Sequence, residues 1–311
     1  MTGNARPVAL GLQLYSLQEL DEDLPEIIRQ VGAHGFDGVE FADRIQGADP
    51  VEVRSALADT GLEAIAAHVS LSQLEADLDR LVELFATLDC TRLVIPHIRP
   101  TYFLTRDRVD TLVDRILTLA DGLADEGLDL LIHNTRAMHY PMLDRFYLDG
   151  FVETGIGPQG GWCHAPWAFD RVTPKRLRGD TAFDRLVEQT GSAVGFEIDT
   201  KAVRTAGRDM EAILDRVGDR LHAVHLSNAR STRRYPPAYR TSGIRDGVVD
   251  VETSLRTVLD REVEWLIVES EDPEETLSVT SAQFGDLLGT LGVDFDHAGD
   301  TSAESRAVGS E

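Results

Sequence analysis

Val194-Gly-Phe-Glu-Ile-Asp199 is a short apolar run closed by a carboxylate, and two later apolar runs also end near a carboxylate or an imidazole, His222-Ala-Val-His-Leu-Ser227 with His225 and Trp265-Leu-Ile-Val-Glu269 with Glu269. Each has the length and character of a buried strand. Between them, Asp209–Leu221 and Val251–Leu259 carry apolar residues at spacings of three and four, the period of an amphipathic helix. The alternation continues toward the N-terminus. Strands are predicted at Val8–Leu17, Gly38–Ala42, Leu62–Ser70, Arg92–Ile98 and Leu128–Asn134, with helices at Leu24–His34, Leu71–Leu88, Val109–Ala124 and Ala182–Gln189. After the last strand, Pro273 can open a closing helix with Leu277, Phe284, Leu287 and Leu288 on its apolar side. Eight strand-then-helix units predict an α/β fold of the closed (β/α)8 TIM barrel type. An open doubly wound sheet would show a glycine-rich phosphate turn after its first strand, and no glycine lies between Leu12 and Val31.

The barrel is expected to occupy residues 1–292 as a single domain. Two segments depart from the repeat. Tyr140–Arg178, between the fifth strand and its helix, is far longer than the usual βα connection of about 2–6 residues. Glycines interleaved with Trp162, His164 and Trp167 suit a lid or a subunit contact there. Ala229–Gly247 follows the seventh strand and carries Arg230, Arg233, Arg234, Arg240 and Arg245, which suit an anionic substrate group or, equally, salt bridges to an acidic surface. The tail, residues 293–311, is small, polar and acidic and is expected to be disordered.

Composition narrows the class of function. A net charge of −24 argues against a nucleic-acid partner, since phosphate binding needs a concentrated positive surface. The sequence lacks an apolar stretch of about 18 residues, which argues against a membrane span. It also lacks a basic N-terminal segment followed by an apolar run, so a cytoplasmic location is expected. Of 30 basic residues only Lys175 and Lys201 are lysine, against 54 acidic ones. Excess surface carboxylate with weakly hydrated arginine points to a cytoplasm that accumulates salt, as in halophilic archaea. A GC-rich genome would explain the arginine but not the carboxylates. Cys90 and Cys163 lack zinc-site spacing and give no disulfide framework.

Side-chain parity places the chemistry. Alternation along Val194–Asp199 turns Phe196 and Ile198 toward the helices and Glu197 and Asp199 into the barrel. By the same count His225 and Glu269 point inward. A barrel interior does not bury such groups without partners, and carboxylate oxygens with an imidazole nitrogen suit Mn²⁺, Mg²⁺, Co²⁺ or Zn²⁺. The other strand ends contribute Gln13, Tyr15, Glu40, His68, His97, His133 and Asn134, a polar mouth suited to a hydroxylated substrate.

Gly11-Leu-Gln-Leu-Tyr-Ser16, Gly35-Phe-Asp-Gly-Val-Glu-Phe-Ala42, His133-Asn134, Gly195-Phe-Glu-Ile-Asp199, Val224-His-Leu226, Asp246-Gly-Val-Val-Asp250 and Glu264-Trp-Leu-Ile-Val-Glu269 together resemble the sugar phosphate isomerase/epimerase family of xylose isomerase-like TIM barrels. The resemblance implies a divalent metal held at the ends of the fifth to eighth strands, and three positions carry over as Asp199, His225 and Glu269. The fourth does not. Where many relatives read His-Asn-His followed by Glu, this chain reads His133-Asn-Thr-Arg-Ala-Met-His139, and where they have Lys-Asp after the seventh-strand histidine and leucine it has Ser227-Asn228. His133, His139 or Glu197, in that order, or water would complete the ligand shell. The implied reaction is isomerisation or epimerisation of a sugar, keto-sugar or polyol, phosphorylated or not, through an enediolate-like proton transfer. Glu269 would be the base and His68 or His133 the opposing acid, with Gln13, Glu40, His97, Asn134, Glu197 and Arg230 around the substrate. An inosose dehydratase-like lyase and a non-catalytic binding barrel are the alternatives, and a homo-oligomer is compatible with each.

Overall fold

The computed structural model describes residues 8–142, 180–234, 238–261, 263–270 and 276–292. Eight parallel strands close into a barrel, namely β1 (Ala9–Gln13), β2 (Gly38–Phe41), β3 (Glu63–His68), β4 (Arg92–Ile95), β5 (Asp129–His133), β6 (Gly195–Asp199), β7 (Leu221–Leu226) and β10 (Trp265–Val268). β10 pairs with both β7 and β1, which completes the ring. The expected (β/α)8 TIM barrel is therefore the fold. Helices α1 (Leu24–Gly32), α2 (Pro50–Thr60), α3 (Leu71–Thr87), α4 (Arg106–Asp125), α5 (Ala182–Gln189), α6 (Thr200–Ala206), α7 (Met210–Val217), α8 (Val251–Leu259) and α9 (Leu277–Thr290) alternate with the strands. None among the described residues is long and apolar enough to cross a membrane.

Alternation along the strands builds two cores. Outward side chains such as Leu12, Phe41, Ile95, Ile132, Phe196 and Val224 pack beneath the helices, each contributing about 1.5–3 kcal/mol by burial. Inward ones, Ile65, Ala66, Val94, Leu131, Ala223, Trp265 and Ile267, form a separate plug within the barrel. The plug floors the barrel and leaves the carboxyl ends of the strands to polar residues. Helix starts follow from short polar caps. Asp23, Asp49, Asp209, Asp250 and Thr276 each accept a backbone N–H of the first turn, and Ser70 with Gln73 forms a capping box, at about 1 kcal/mol per cap.

Three local features differ from expectation, each for a polar reason. The first strand stops at Gln13, whose side chain accepts the Tyr15 N–H at 3.0 Å and turns the chain into a 3-10 turn over Leu14–Leu17. Helix α6 follows β6 directly because Asp199, the last strand residue, is also its N-cap. Ala229–Gly247 is largely a hairpin of β8 (Asn228–Arg233) and β9 (Ala238–Ser242), paired antiparallel outside the barrel sheet. Most of the expected insertion over Tyr140–Arg178, Pro273 and the tail from 293 lie outside the described residues.

Candidate metal centre

The polar layer begins with two carboxylates and two imidazoles drawn to one point. Glu40, Glu197 and His225 are buried, and His68 reaches them from the end of β3. His225 Nε2 lies 2.9 Å from Glu40 Oε2 and 3.2 Å from Glu197 Oε2, while His68 Nε2 lies 3.2 Å from each of the same two oxygens. Gln13 closes the ring by donating its amide N–H to Glu40 Oε2. All four ligand-type atoms fall within 4.8 Å of one another.

A second group shares His225. Its Nδ1 stands 3.0 Å from Glu269 Oε2, and His133, His225 and Glu269 likewise offer donor atoms within 4.8 Å. The His133 ring meets His225 edge-on at 4.8 Å between centroids, and the His68 and His225 rings stack at 5.7 Å. Above them Asp199 Oδ2 approaches His133 Nε2 at 3.8 Å.

Electrostatics follow from this crowding. Burial alone would strip the proton from His68, but the Glu40 and Glu197 carboxylates raise its pKa to about 10. Burial opposes charge on His225 too, and Glu197 and Glu40 overcome it, holding the pKa well above the imidazole value. Glu197 would be raised by burial, yet His225 and His68 keep it well below the carboxylate range. Glu269 is raised by burial and lowered by the charge of Lys201 and the His225 hydrogen bond, with a net downward shift. His133 goes the other way, because burial and the neighbouring His225 both favour the neutral ring.

The residues present fit a divalent cation on observations of their own. Glu40 Oε1, Glu197 Oε1 and both ring nitrogens of His133 are buried without a hydrogen-bond partner, which costs free energy unless something polar satisfies them. Two carboxylates also match the charge of one dication.

The expected residues do not all gather there. Asp199, expected as a ligand, belongs to neither group. Its Oδ1 accepts Ala202 N–H at 2.8 Å and Ser227 Oγ–H at 2.9 Å, and its own N–H donates to Asn134 Oδ1 at 2.6 Å. A carboxylate that caps a helix has one oxygen committed to backbone. His139, also expected as a ligand, stands outside both groups. The turn after β5 sends its ring to Phe183, at 4.6 Å between centroids, and its Nε2 to Asn134 Nδ2 at 2.8 Å. Burial there lowers its pKa to about 3. Met138, near the position where the family that the sequence resembles has a Glu, is buried in the outer core. Arg230, expected near a substrate anion, is 57% exposed on the hairpin and paired with Asp246 at 2.8 Å. His97 is exposed on the loop after β4. Glu40, Glu197 and His68, expected at the substrate or as an acid, instead form with His225 a four-residue ligand-type cluster among the described residues. The available signal was their inward parity on β2, β6 and β3.

No protein-family model matches the sequence, and no curated protein matches it. Solved structures do. A sugar phosphate isomerase/epimerase from Parabacteroides distasonis ATCC 8503 superposes with a TM-score of 0.65 at 16% identity, over 91% of this chain and 97% of that one. The fold is that of these barrels. The probable 3-DHS dehydratase AsbF of Bacillus anthracis gives 0.64 at 12% identity, over 89% and 98% of the two chains. The IolI protein, whose structure holds a zinc atom, gives 0.64 at 12%, over 91% and 99%. At such identities the likeness concerns architecture, and the chemistry of this barrel rests on its own side chains.

Proposed function

We propose that this protein is a divalent-metal-dependent isomerase or epimerase of a sugar, keto-sugar or polyol. The observation that carries the reading is the layer of carboxylates and imidazoles buried at the carboxyl ends of the strands, where (β/α)8 enzymes place their chemistry. Glu40, His68, Glu197 and His225 are the residues from which the cation's ligands come, with Glu269 hydrogen-bonded to His225 beside them. When bound, such a cation supplies Lewis-acid polarisation of a carbonyl or hydroxyl oxygen.

The chain's own residues do the rest. His133 is the group best placed to move the proton next to the carbonyl. It is buried in the layer, its two ring nitrogens have no hydrogen-bond partner, and its surroundings favour a neutral ring that can accept a proton. Glu269, given the base's role by the sequence, hydrogen-bonds His225 and stays ionised, which makes it a weaker base and a better orienting group. Asn134 and Asp199 fix the rim around His133. The net charge of −24 favours a small-molecule substrate over nucleic acid and supports work at high salt.

The test is proton exchange. Ketoses, inososes and hydroxypyruvate are incubated with the protein, Mn²⁺ and concentrated KCl in D₂O, and products are read by mass spectrometry and NMR. Deuterium should enter at the carbon beside the carbonyl without loss of water, and His133→Asn should slow exchange by about 10²–10⁴-fold. A product lighter by one water would move the reading to a dehydratase, which shares the first step; the probable dehydratase AsbF is similar to this chain in fold. Exchange with none of these substrates, or full rate in His133→Asn, would contradict it.

A further inference from the structure

The ligand cluster is built twice, from opposite walls of the barrel. On β2 and β3, Gly38-Val-Glu40 lies beside Ile65-Ala-Ala-His68, and on β6 and β7, Gly195-Phe-Glu197 lies beside His222-Ala-Val-His225. In each pair a glycine precedes the carboxylate by two residues, and the histidine follows the glycine's neighbour by three. In each pair the register slips by one residue immediately before the carboxylate. Val39 pairs with Ala64 but Glu40 with Ala66, and Phe196 pairs with Leu221 but Glu197 with Ala223. The extra residue, Ile65 or His222, sits against the glycine. A Cβ at Gly38 would stand 2.7 Å from Ile65 Cγ1, and one at Gly195 would stand 2.5 Å from His222 Cδ2. The two strand pairs lie four strands apart in the ring of eight, hence diametrically across it.

Irregularities of this kind re-aim side chains next to functional sites. Here two of them, related by a half-turn, aim Glu40 with His68 and Glu197 with His225 at the barrel axis. Hydrophobic packing does not require two buried carboxylates, and it does not explain the repetition.

The geometry points to a cation seated on the axis and held by Glu40 Oε2, His68 Nε2, Glu197 Oε2 and His225 Nε2. This assignment rests on the proposed metal dependence and specifies its ligands. Of the three positions that the resemblance carries over, Asp199, His225 and Glu269, it shares only His225. The four imidazole–carboxylate separations of 2.9–3.2 Å match neighbouring ligands of a cation with bonds of about 2.0–2.2 Å, which at right angles stand about 3 Å apart. His225 settles the role of Glu269. With Nε2 on the metal, Nδ1–H donates to Glu269 Oε2 at 3.0 Å, the carboxylate–histidine–metal arrangement in which the carboxylate orients the ligand and is not itself one. Glu269 is thus a positioning residue, and Asp199 and His133 remain above the cation, toward the substrate.

Metal-stripped protein is titrated with Co²⁺, following stoichiometry by elemental analysis and coordination by the visible spectrum, with folding checked by circular dichroism. One Co²⁺ per chain is expected. Glu40→Gln, Glu197→Gln and His68→Gln should each weaken binding by at least about 100-fold, and His68→Gln, partly exposed at the strand end, guards against loss through misfolding. Asp199→Asn should bind within a few-fold of wild type. Glu269→Gln should lose about 10–100-fold while keeping the Co²⁺ spectrum. If folded His68→Gln and Glu197→Gln bind like wild type while Asp199→Asn or Glu269→Gln abolishes binding, the axial seat is wrong and metal dependence stands with the cation at the rim. If wild type binds neither Co²⁺, Mn²⁺ nor Zn²⁺, both fall.

Discussion

Replacing His225 with alanine should destabilise the metal-free protein by about 3–5 kcal/mol, the cost of leaving a buried charge without its partner. His225 is fully buried and touches three carboxylates, Glu40 and Glu197 through Nε2 and Glu269 through Nδ1. Its removal leaves His68 as the one imidazole between Glu40 and Glu197, with only the neutral Gln13 amide beside it. For a domain of this size the loss corresponds to a fall in melting temperature on the order of 10 °C, read by calorimetry in EDTA and concentrated KCl. The double variant His225→Ala with Glu197→Gln separates charge from cavity. Removing one excess carboxylate should return part of the lost stability, whereas independent losses would add. A single variant as stable as wild type, or a double variant worse than the sum, would show that the cluster is not held by charge.

The second large effect lies where the chain leaves β7. Asn228→Ala should cost about 2–4 kcal/mol, since several buried backbone groups lose their partner at once. Asn228 Nδ2 donates to the carbonyls of Ile244 at 2.8 Å and Val249 at 3.2 Å, and its Oδ1 accepts from Val249 N–H at 2.9 Å and Ala229 N–H at 2.8 Å. One buried side chain thus closes the base of the β8–β9 hairpin. Gly247 completes the clasp, because a Cβ there would stand 2.6 Å from the Ala229 carbonyl and closer still to the Asn228 amide oxygen. Urea unfolding of Asn228→Ala measures the loss, and Asn228→Asp, which keeps the acceptor but not the donor, should fall between. An unchanged midpoint in Asn228→Ala would mean that the hairpin closes without it.

This clasp accounts for a departure visible in the sequence. Ser227-Asn228 stands where the family that the sequence resembles has Lys-Asp, and each residue has a structural task, Ser227 Oγ donating to Asp199 Oδ1 and Asn228 pinning the hairpin. The barrel was legible because its strands alternate cleanly and a helical period separates them. The hairpin was not, since Asn228–Arg233 has no apolar face, and α6 was hidden because no turn residue separates it from β6.

The centre was half legible for a related reason. Parity along β6 and β7 correctly turned Glu197 and His225 inward, but parity cannot say at what depth two strands meet. The one-residue slips at Val39/Glu40 and Phe196/Glu197 set that depth, and they are visible only in the pairing. They bring Glu40 and His68 level with Glu197 and His225, one layer below Asp199, whose Oδ1 is committed to the cap of α6.

The most direct measurement is anomalous scattering at the cobalt edge from crystals grown with Co²⁺. The expected result is one strong peak on the barrel axis, within about 2.0–2.3 Å of Glu40 Oε2, His68 Nε2, Glu197 Oε2 and His225 Nε2. A peak bonded to Asp199 and Glu269, or no peak within the barrel, would contradict it.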